Sequence, residues 1–272
     1  MLTSNQRILC FSLSITLILS FFLGAYTATL HSQSRSIDTV AGILPNKPKT
    51  LPSEPLPKFT QIFNTQEKKQ LFFSYLTPII EAVNHNVIIE RKTIHSLQQK
   101  SALTAQDKKY LANVAKKYRV TSKLSDRNKF FRQLLTKVDR IPLSLVLAQA
   151  ANESAWGTSR FAVKGNNLFG QWCFSRGCGL VPERRSKDAT HEVAKFDTVS
   201  KSVESYILNL NRHAEYAELR EIRRQLRQKN TPVNGIQLAN GLAGYSERGQ
   251  DYVDEIKSMI RFNNLSSLDQ KS

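Results

Sequence analysis

The sequence predicts a mostly helical α+β protein in which a helical segment precedes a domain carrying one small β hairpin. Three observations lead there. Apolar residues recur at three- and four-residue spacing over most of the chain from Phe59 to Phe262. Only the stretch between Leu180 and Val199 reads as extended. Finally, 40% apolar residues in a 272-residue chain suffice for one sizeable core or two small ones, which excludes a wholly disordered protein.

From Ile8 to Leu30 the chain carries no charge, which meets the roughly 20-residue length of a membrane helix. Arg7 alone precedes the run, a weak positive-inside signal, and Ala25-Tyr-Thr27 is a poor cleavage site. Residues 1–30 are therefore read as a signal anchor or a signal peptide. Both readings export the remainder to the periplasm, and an uncleaved segment makes the inner membrane a partner. Cys10, inside the run, reads as buried packing. Residues 31–58, rich in Ser and Pro, are expected to form an extended tether.

A capping box at Asn64-Thr-Gln-Glu67 opens a helix on which Leu71, Phe72, Tyr75, Leu76, Ile79, Ile80 and Val83 recur, with Pro78 expected to kink or divide it. A second box, Thr104-Ala-Gln-Asp107, opens another, and Ser125 is the expected cap of a third that presents Phe130, Phe131, Leu134, Leu135 and Val138. Residues 59–140 make up this basic helical segment. Charge is concentrated there: of the overall +17, residues 91–140 hold +11 and residues 141–272 only +4. The bland reading is a solvated helical face, and the functional one is attraction to an acidic polymer. Nucleic acid is not an expected partner, because an exported chain rarely meets it and no nucleic-acid motif accompanies the charge.

Pro142 suits a helix start, and the following LSLVLAQAANESAW is apolar on almost every side, which marks a central buried helix within a domain expected at residues 141–265. Gln149, Asn152 and Glu153 share one face near its end. Gly157, Gly165 and Gly170 interrupt the pattern, and LVPERR and EVAKFDTV, separated by SKDAT, resemble a hairpin. Helical spacing returns at Val203, Tyr206, Ile207 and Leu210, weakly at Ile236, Leu238 and Leu242, and again at Val253, Ile256, Met259 and Ile260. Residues 266–272 read as a polar tail.

Three cysteines, Cys10, Cys173 and Cys178, exclude a disulfide-dense scaffold and a four-thiolate zinc site. No phosphate-binding Gly-Lys loop, nucleophile elbow or paired histidines are present, so no cofactor or metal is expected. Glu153 is the most informative residue. It ends an apolar helix, where desolvation and the helix dipole both disfavour its anion, and a carboxyl that keeps its proton near neutral pH is what protonation of a glycosidic oxygen requires. The competing reading is a structural glutamate bonded to the following turn.

The run Gln149-Ala-Ala-Asn-Glu153-Ser-Ala-Trp156-Gly157, followed by Asn167-Leu-Phe-Gly170 and Ala243-Gly-Tyr245, resembles the glucosaminidase domain of glycoside hydrolase family 73 over residues 141–262. The resemblance implies a lysozyme-like α+β fold and cleavage of the β-1,4 bond after N-acetylglucosamine in peptidoglycan glycan strands. It assigns the general acid to Glu153, places Asn167, Phe169 and Gly170 along the substrate, and sets Tyr245 beside the acid. A second carboxylate on the hairpin is implied, for which Glu183 and Glu192 compete. Glu183 is preferred, as it lies in the first extended stretch. The hairpin appears short for the family, and Ser246-Glu-Arg-Gly-Gln-Asp251-Tyr252 departs from its more compact pattern, so substrate contact by Tyr252 rests on a looser match. Trp156 reads as core packing before sugar stacking, and Trp172 as an exposed sugar platform. Export to an oxidising compartment would let Cys173 and Cys178 close a small loop as a disulfide. Two rival functions stand beside the hydrolase: a lytic transglycosylase using the same acid, and a non-catalytic wall-binding protein.

Overall fold

The computed structural model describes residues 47–183 and 190–269. Residues 1–46, 184–189 and 270–272, and with them the expected signal or anchor and most of the segment expected to separate the two hairpin stretches, lie outside the described residues, and no helix among the described ones is long and apolar enough to cross a membrane. The class is the expected one, mostly helical with a small antiparallel sheet.

Helix α1 (Thr65–Gln99) starts where Asn64 Oδ1 accepts from the Glu67 backbone N–H at 3.0 Å. It continues through Pro78, so of the expected kink or division the division does not occur, because proline removes one internal bond while Leu76, Ile79, Ile80 and Val83 are buried on both sides of it. Helix α2 (Ala105–Lys117) opens on the reciprocal Thr104–Asp107 box. For α3 (Arg127–Lys137) the cap is Asp126, one residue beyond the expected Ser125, its carboxylate accepting from Lys129 N at 3.1 Å. Helix α4 (Leu143–Glu153) is buried from Leu143 through Ala151 and packs on α1 and on the later helices, so it is the axis of the molecule.

After α5 (Arg160–Gly165) come β1 (Trp172–Cys173), β2 (Gly179–Leu180) and β3 (Glu192–Ala194), with β3 central and both neighbours antiparallel to it. Strand β2 ends at Leu180, so Glu183 sits in a turn beyond it and not in the extended stretch expected there. Two-residue β1 is too short to show a period of two, and it went unseen in the sequence. Helices α6 (Val199–Arg212), α7 (Ala217–Gln228), α8 (Gly235–Ala239) and α9 (Gln250–Phe262) follow, and a 3-10 turn at Asn240–Tyr245 joins the last two.

One core runs through all of residues 59–265. At the boundary expected near residue 141, Asn84 of α1 donates to Ile141 O at 2.8 Å and accepts from Ile141 N at 3.0 Å, so the two segments are bonded through buried backbone. The basic helical segment is part of the same compact unit as the motif-bearing helices. Both flanks also belong to it. Lys49 exchanges two hydrogen bonds with Asn86, Tyr75 Oη donates to Glu54 O, and Leu51 and Leu56 pack on the core, so the tether is bound from residue 47 onward. At the other end Asp269, expected in a polar tail, accepts from Ser144 N at 2.9 Å, Ser144 Oγ at 2.6 Å and Gly235 N at 2.9 Å. Its negative charge caps the amino end of α4, where the helix dipole favours it.

Candidate active site

Helix α4 stops directly after Glu153 because the next residues turn left-handed: φ is +49° at Ala155, +59° at Trp156 and +77° at Gly157. Ser154 Oγ holds this turn, donating to Ala150 O at 2.6 Å and accepting from Gly157 N at 2.8 Å. Trp156 packs edge-on against Phe72 and Phe73 of α1, at centroid distances of 5.7 and 5.4 Å. A Cβ on Gly157 would lie 2.5 Å from Phe59 Cδ2. The Glu-Ser-x-Trp-Gly pattern is thus a demand of packing as much as of chemistry, and Trp156 is a packing residue, as expected.

Glu153 itself is half-buried. Three side chains behind it form a polarised chain: Tyr206 Oη donates to Gln149 Oε1, Gln149 Nε2 donates to Tyr252 Oη at 2.9 Å, and Tyr252 Oη donates to Glu153 Oε1 at 2.8 Å. The phenolic protons of Tyr206 and Tyr252 both run along this chain toward the carboxyl, and burial pushes the pKa of Tyr206, Tyr245 and Tyr252 well up, so these phenols stay neutral donors. Burial raises the Glu153 pKa above the ordinary carboxyl range, and hydrogen bonds from Tyr252 and Asn152 offset part of that rise.

The three sequence motifs meet here. Tyr245 stacks on Tyr252 (5.3 Å, 10° between planes) and donates to Phe169 O at 3.1 Å, while Phe169 stacks on Tyr206 (3.9 Å, 7°). Tyr206 returns to Gln149, so the contacts close a ring around the back of the acid. Asn167 and Phe169 are placed differently from the expectation of substrate contact. Both are buried, and Asn167 spends all four hydrogen-bonding positions on Gln171 O, Ala194 O, Phe169 N and Gln171 N. Asn167 shapes the turn that ends at Gly170, where φ is +61° and a side chain would meet nothing within 4 Å. Tyr252 is also buried and faces the acid from behind, so its partner is Glu153 and not a sugar.

Trp172 is 60% exposed and stacks on His191 at 4.0 Å, an open aromatic surface of the kind a sugar ring can cover. Cys173 and Cys178 are disulfide-bonded, as expected, with their Cα atoms 6.2 Å apart. Glu192 is buried and accepts from Gly177 N and Gly179 N at 3.0 and 2.8 Å, so it organises this small loop. Glu183, by contrast, has an 80% exposed side chain with Arg160 Nε 3.8 Å away. Tyr206 is the site residue missed at the sequence level, where it counted only as helical spacing, while Gln149, read there as sharing a face with Glu153, gains its partners here. A tyrosine and a glutamine at core positions signal a buried hydrogen-bond network, since each must find a partner there.

A carboxyl held partly out of water at a helix end, backed by neutral phenols, can deliver a proton to a leaving oxygen, the general-acid equipment of glycoside hydrolases. The family model described as mannosyl-glycoprotein endo-beta-N-acetylglucosaminidase matches residues 128–265. Protein bax of Escherichia coli (strain K12) is 32% identical over 211 residues, spanning 78% of this chain and 75% of that protein. The chain belongs to the glucosaminidase family of glycoside hydrolases, family 73. Among solved structures, the catalytic domain of the autolysin Auto from Listeria monocytogenes aligns with a TM-score of 0.41 and 17% identity, over 79% of this chain and 99% of that one.

Proposed function

We propose that this protein is an exported endo-β-N-acetylglucosaminidase that cleaves the β-1,4 bond after N-acetylglucosamine in peptidoglycan, with Glu153 as general acid. The observation that carries the reading is the placement of Glu153: half-buried, its pKa raised by desolvation, and bonded through Oε1 to Tyr252. Before the step, the Glu153 carboxyl bears the proton. As the glycosidic C–O bond breaks, that proton moves to the leaving oxygen, and the Tyr252 hydrogen bond then stabilises the carboxylate left behind.

Glu183 is the proposed second carboxylate, directing water to the sugar carbon. Its exposure and its lack of a backbone bond among the described residues support the role, whereas Glu192 is engaged by two backbone N–H groups. Trp172 supplies the sugar platform, and Tyr245 holds Tyr252 by stacking. Residues 1–30 act as the export signal or anchor, which places the enzyme in the periplasm.

The test is digestion of purified peptidoglycan by the full chain. A new N-acetylglucosamine reducing end supports the proposal, an anhydro-sugar product indicates transglycosylase chemistry, and binding without cleavage indicates a wall-binding protein. Glu183→Gln is expected to slow digestion without lowering stability. A Glu192→Gln enzyme inactive though folded, beside a fully active Glu183→Gln enzyme, transfers the role to Glu192.

A further inference from the structure

The basic character concentrates in a place that the sequence did not indicate. Two adjoining cavities of about 280 and 500 Å³ lie between α3 and α7, lined together by eight Lys and Arg side chains and two acids. Both acids are already engaged. Asp139 is held by Arg227 at 2.6 and 2.7 Å, with Arg91 and Arg223 within 4 Å, and Glu221 is paired to Arg224 at 2.8 Å. Arg223, at the floor and 1% exposed, donates to the carbonyls of Thr136, Lys137, Asp139 and Arg140. Its N–H groups go to these carbonyls and to Asn211 Oδ1, so its one nearby anion among the described residues is Asp139, which it shares with Arg227 and Arg91.

Arg132 lines both cavities. Neither its guanidinium nor the ammonium of Lys129, one turn earlier on the same face of α3, has a hydrogen-bond or ion-pair partner among the described residues. The cations also crowd one another, as burial together with Arg220 and Arg119 lowers the Lys137 pKa. A groove with this excess of positive charge, and with the guanidinium of Arg132 and the ammonium of Lys129 exposed at its rim, is suited to receive oxyanions.

Resting on the reading that the chain acts on peptidoglycan, we propose that this groove is a second binding site, outside the catalytic centre, for carboxylates on the flexible peptide branches of the wall polymer. The cations stand at different depths, from buried Arg223 to exposed Arg132 and Lys129, which suits acids on flexible stems better than a phosphodiester backbone with its charges in one line. No aromatic side chain lines either cavity, so the groove lacks the stacking surfaces that single-stranded nucleic acids use.

The test uses the full chain and a fluorescent oligo-glutamate as probe, with anisotropy read at low ionic strength. Reversing Arg132 and Lys129 together (Arg132→Glu, Lys129→Glu) is expected to weaken binding at least about tenfold, as expected when charge-assisted pairs are lost. The same change of charge at Lys108 and Lys109 of α2 is expected to leave binding within about twofold, because exposed charges far from the site act weakly. Equal losses in both double variants would reduce the groove to general net charge and overturn the proposal. Tighter binding of polyphosphate of matched charge would overturn the carboxylate class. Both variants are expected to cleave uncharged N-acetylglucosamine oligomers at the wild-type rate. Because the probe contains no sugar, binding that depends on Arg132 and Lys129 supports the groove even if the chain proves unable to cleave glycans.

Discussion

Two buried carboxyls flank α4, and the contrast between them shows how environment assigns a role. Asp139 lies shortly before the helix starts at Leu143, and half-buried Glu153 is its last residue. Asp139 is the more deeply buried, yet Arg223, Arg227 and Arg91 overcome the desolvation penalty and hold its pKa below the ordinary value. Around Glu153 the hydrogen-bonding neighbours are the Tyr252 phenol and the Asn152 amide, the Arg248 guanidinium acts less than either, and burial prevails, raising the pKa. Two carboxyls of one protein are thereby moved in opposite directions, the kind of separation from which acid–base sites are built.

The largest effect is expected where the proton itself is removed. Glu153→Gln should reduce peptidoglycan cleavage by about 10²–10⁴-fold, the usual contribution of a general acid, measured as new reducing ends against a fold check by circular dichroism. The same variant should be more stable than wild type near neutral pH. The folded pKa of Glu153 is raised, so the stability it contributes is present below the unfolded pKa and lost as pH rises through the folded one. The gain in Tm should therefore shrink on acidification, and a gain independent of pH would contradict a raised pKa.

Removing the other carboxyl should damage the fold and spare the chemistry. Asp139→Asn leaves Arg223 and Arg227 without their anion, and breaking a buried pair in this way costs about 3–5 kcal/mol, measured by urea unfolding. Because the Asp139 pKa is lowered, its contribution is present above the unfolded pKa and disappears as pH falls through the folded one. The difference between wild type and variant should accordingly be larger at pH 7 than in acid. Cleavage per folded molecule should stay near the wild-type rate.

A smaller effect is expected from Tyr252→Phe. It strips one donor from Glu153 and leaves Gln149 Nε2 unpaired, a loss of about 1–3 kcal/mol for buried groups. Without a bond that favours the anion, the Glu153 pKa should rise further, moving the alkaline limb of the pH–rate profile upward. A limb that stays in place would show that the phenol does not tune the acid. Smallest of all is reduction of Cys173–Cys178, because closing so short a loop stabilises by about 2 kcal/mol at most in the chain-entropy model. Alkylation without reductant should label neither thiol.

Much of this was legible in the residues themselves. Nine consecutive buried positions from Leu143 announced the central helix, the capping boxes located two helix starts, and Glu153 stood out because a charged side chain ends an apolar run. Those signals are local, set by periodicity and by hydrogen bonds within one turn. Tertiary structure decided what depends on partners distant in the chain. Asn167 and Phe169 were read as substrate contacts, and only the fold reveals that one is saturated by backbone and the other stacked on Tyr206. The ring from Tyr206 through Gln149 to Tyr252 joins residues up to 103 positions apart. The basic segment read as a surface beside the domain proves to share its core, since the packing that buries Trp156 against Phe72 and brings Arg223 under α3 leaves no trace in the spacing of either segment. A sequence records which side chains must leave water. Which of them meet, and whether a buried carboxyl keeps or gives up its charge, depends on what the fold places beside it.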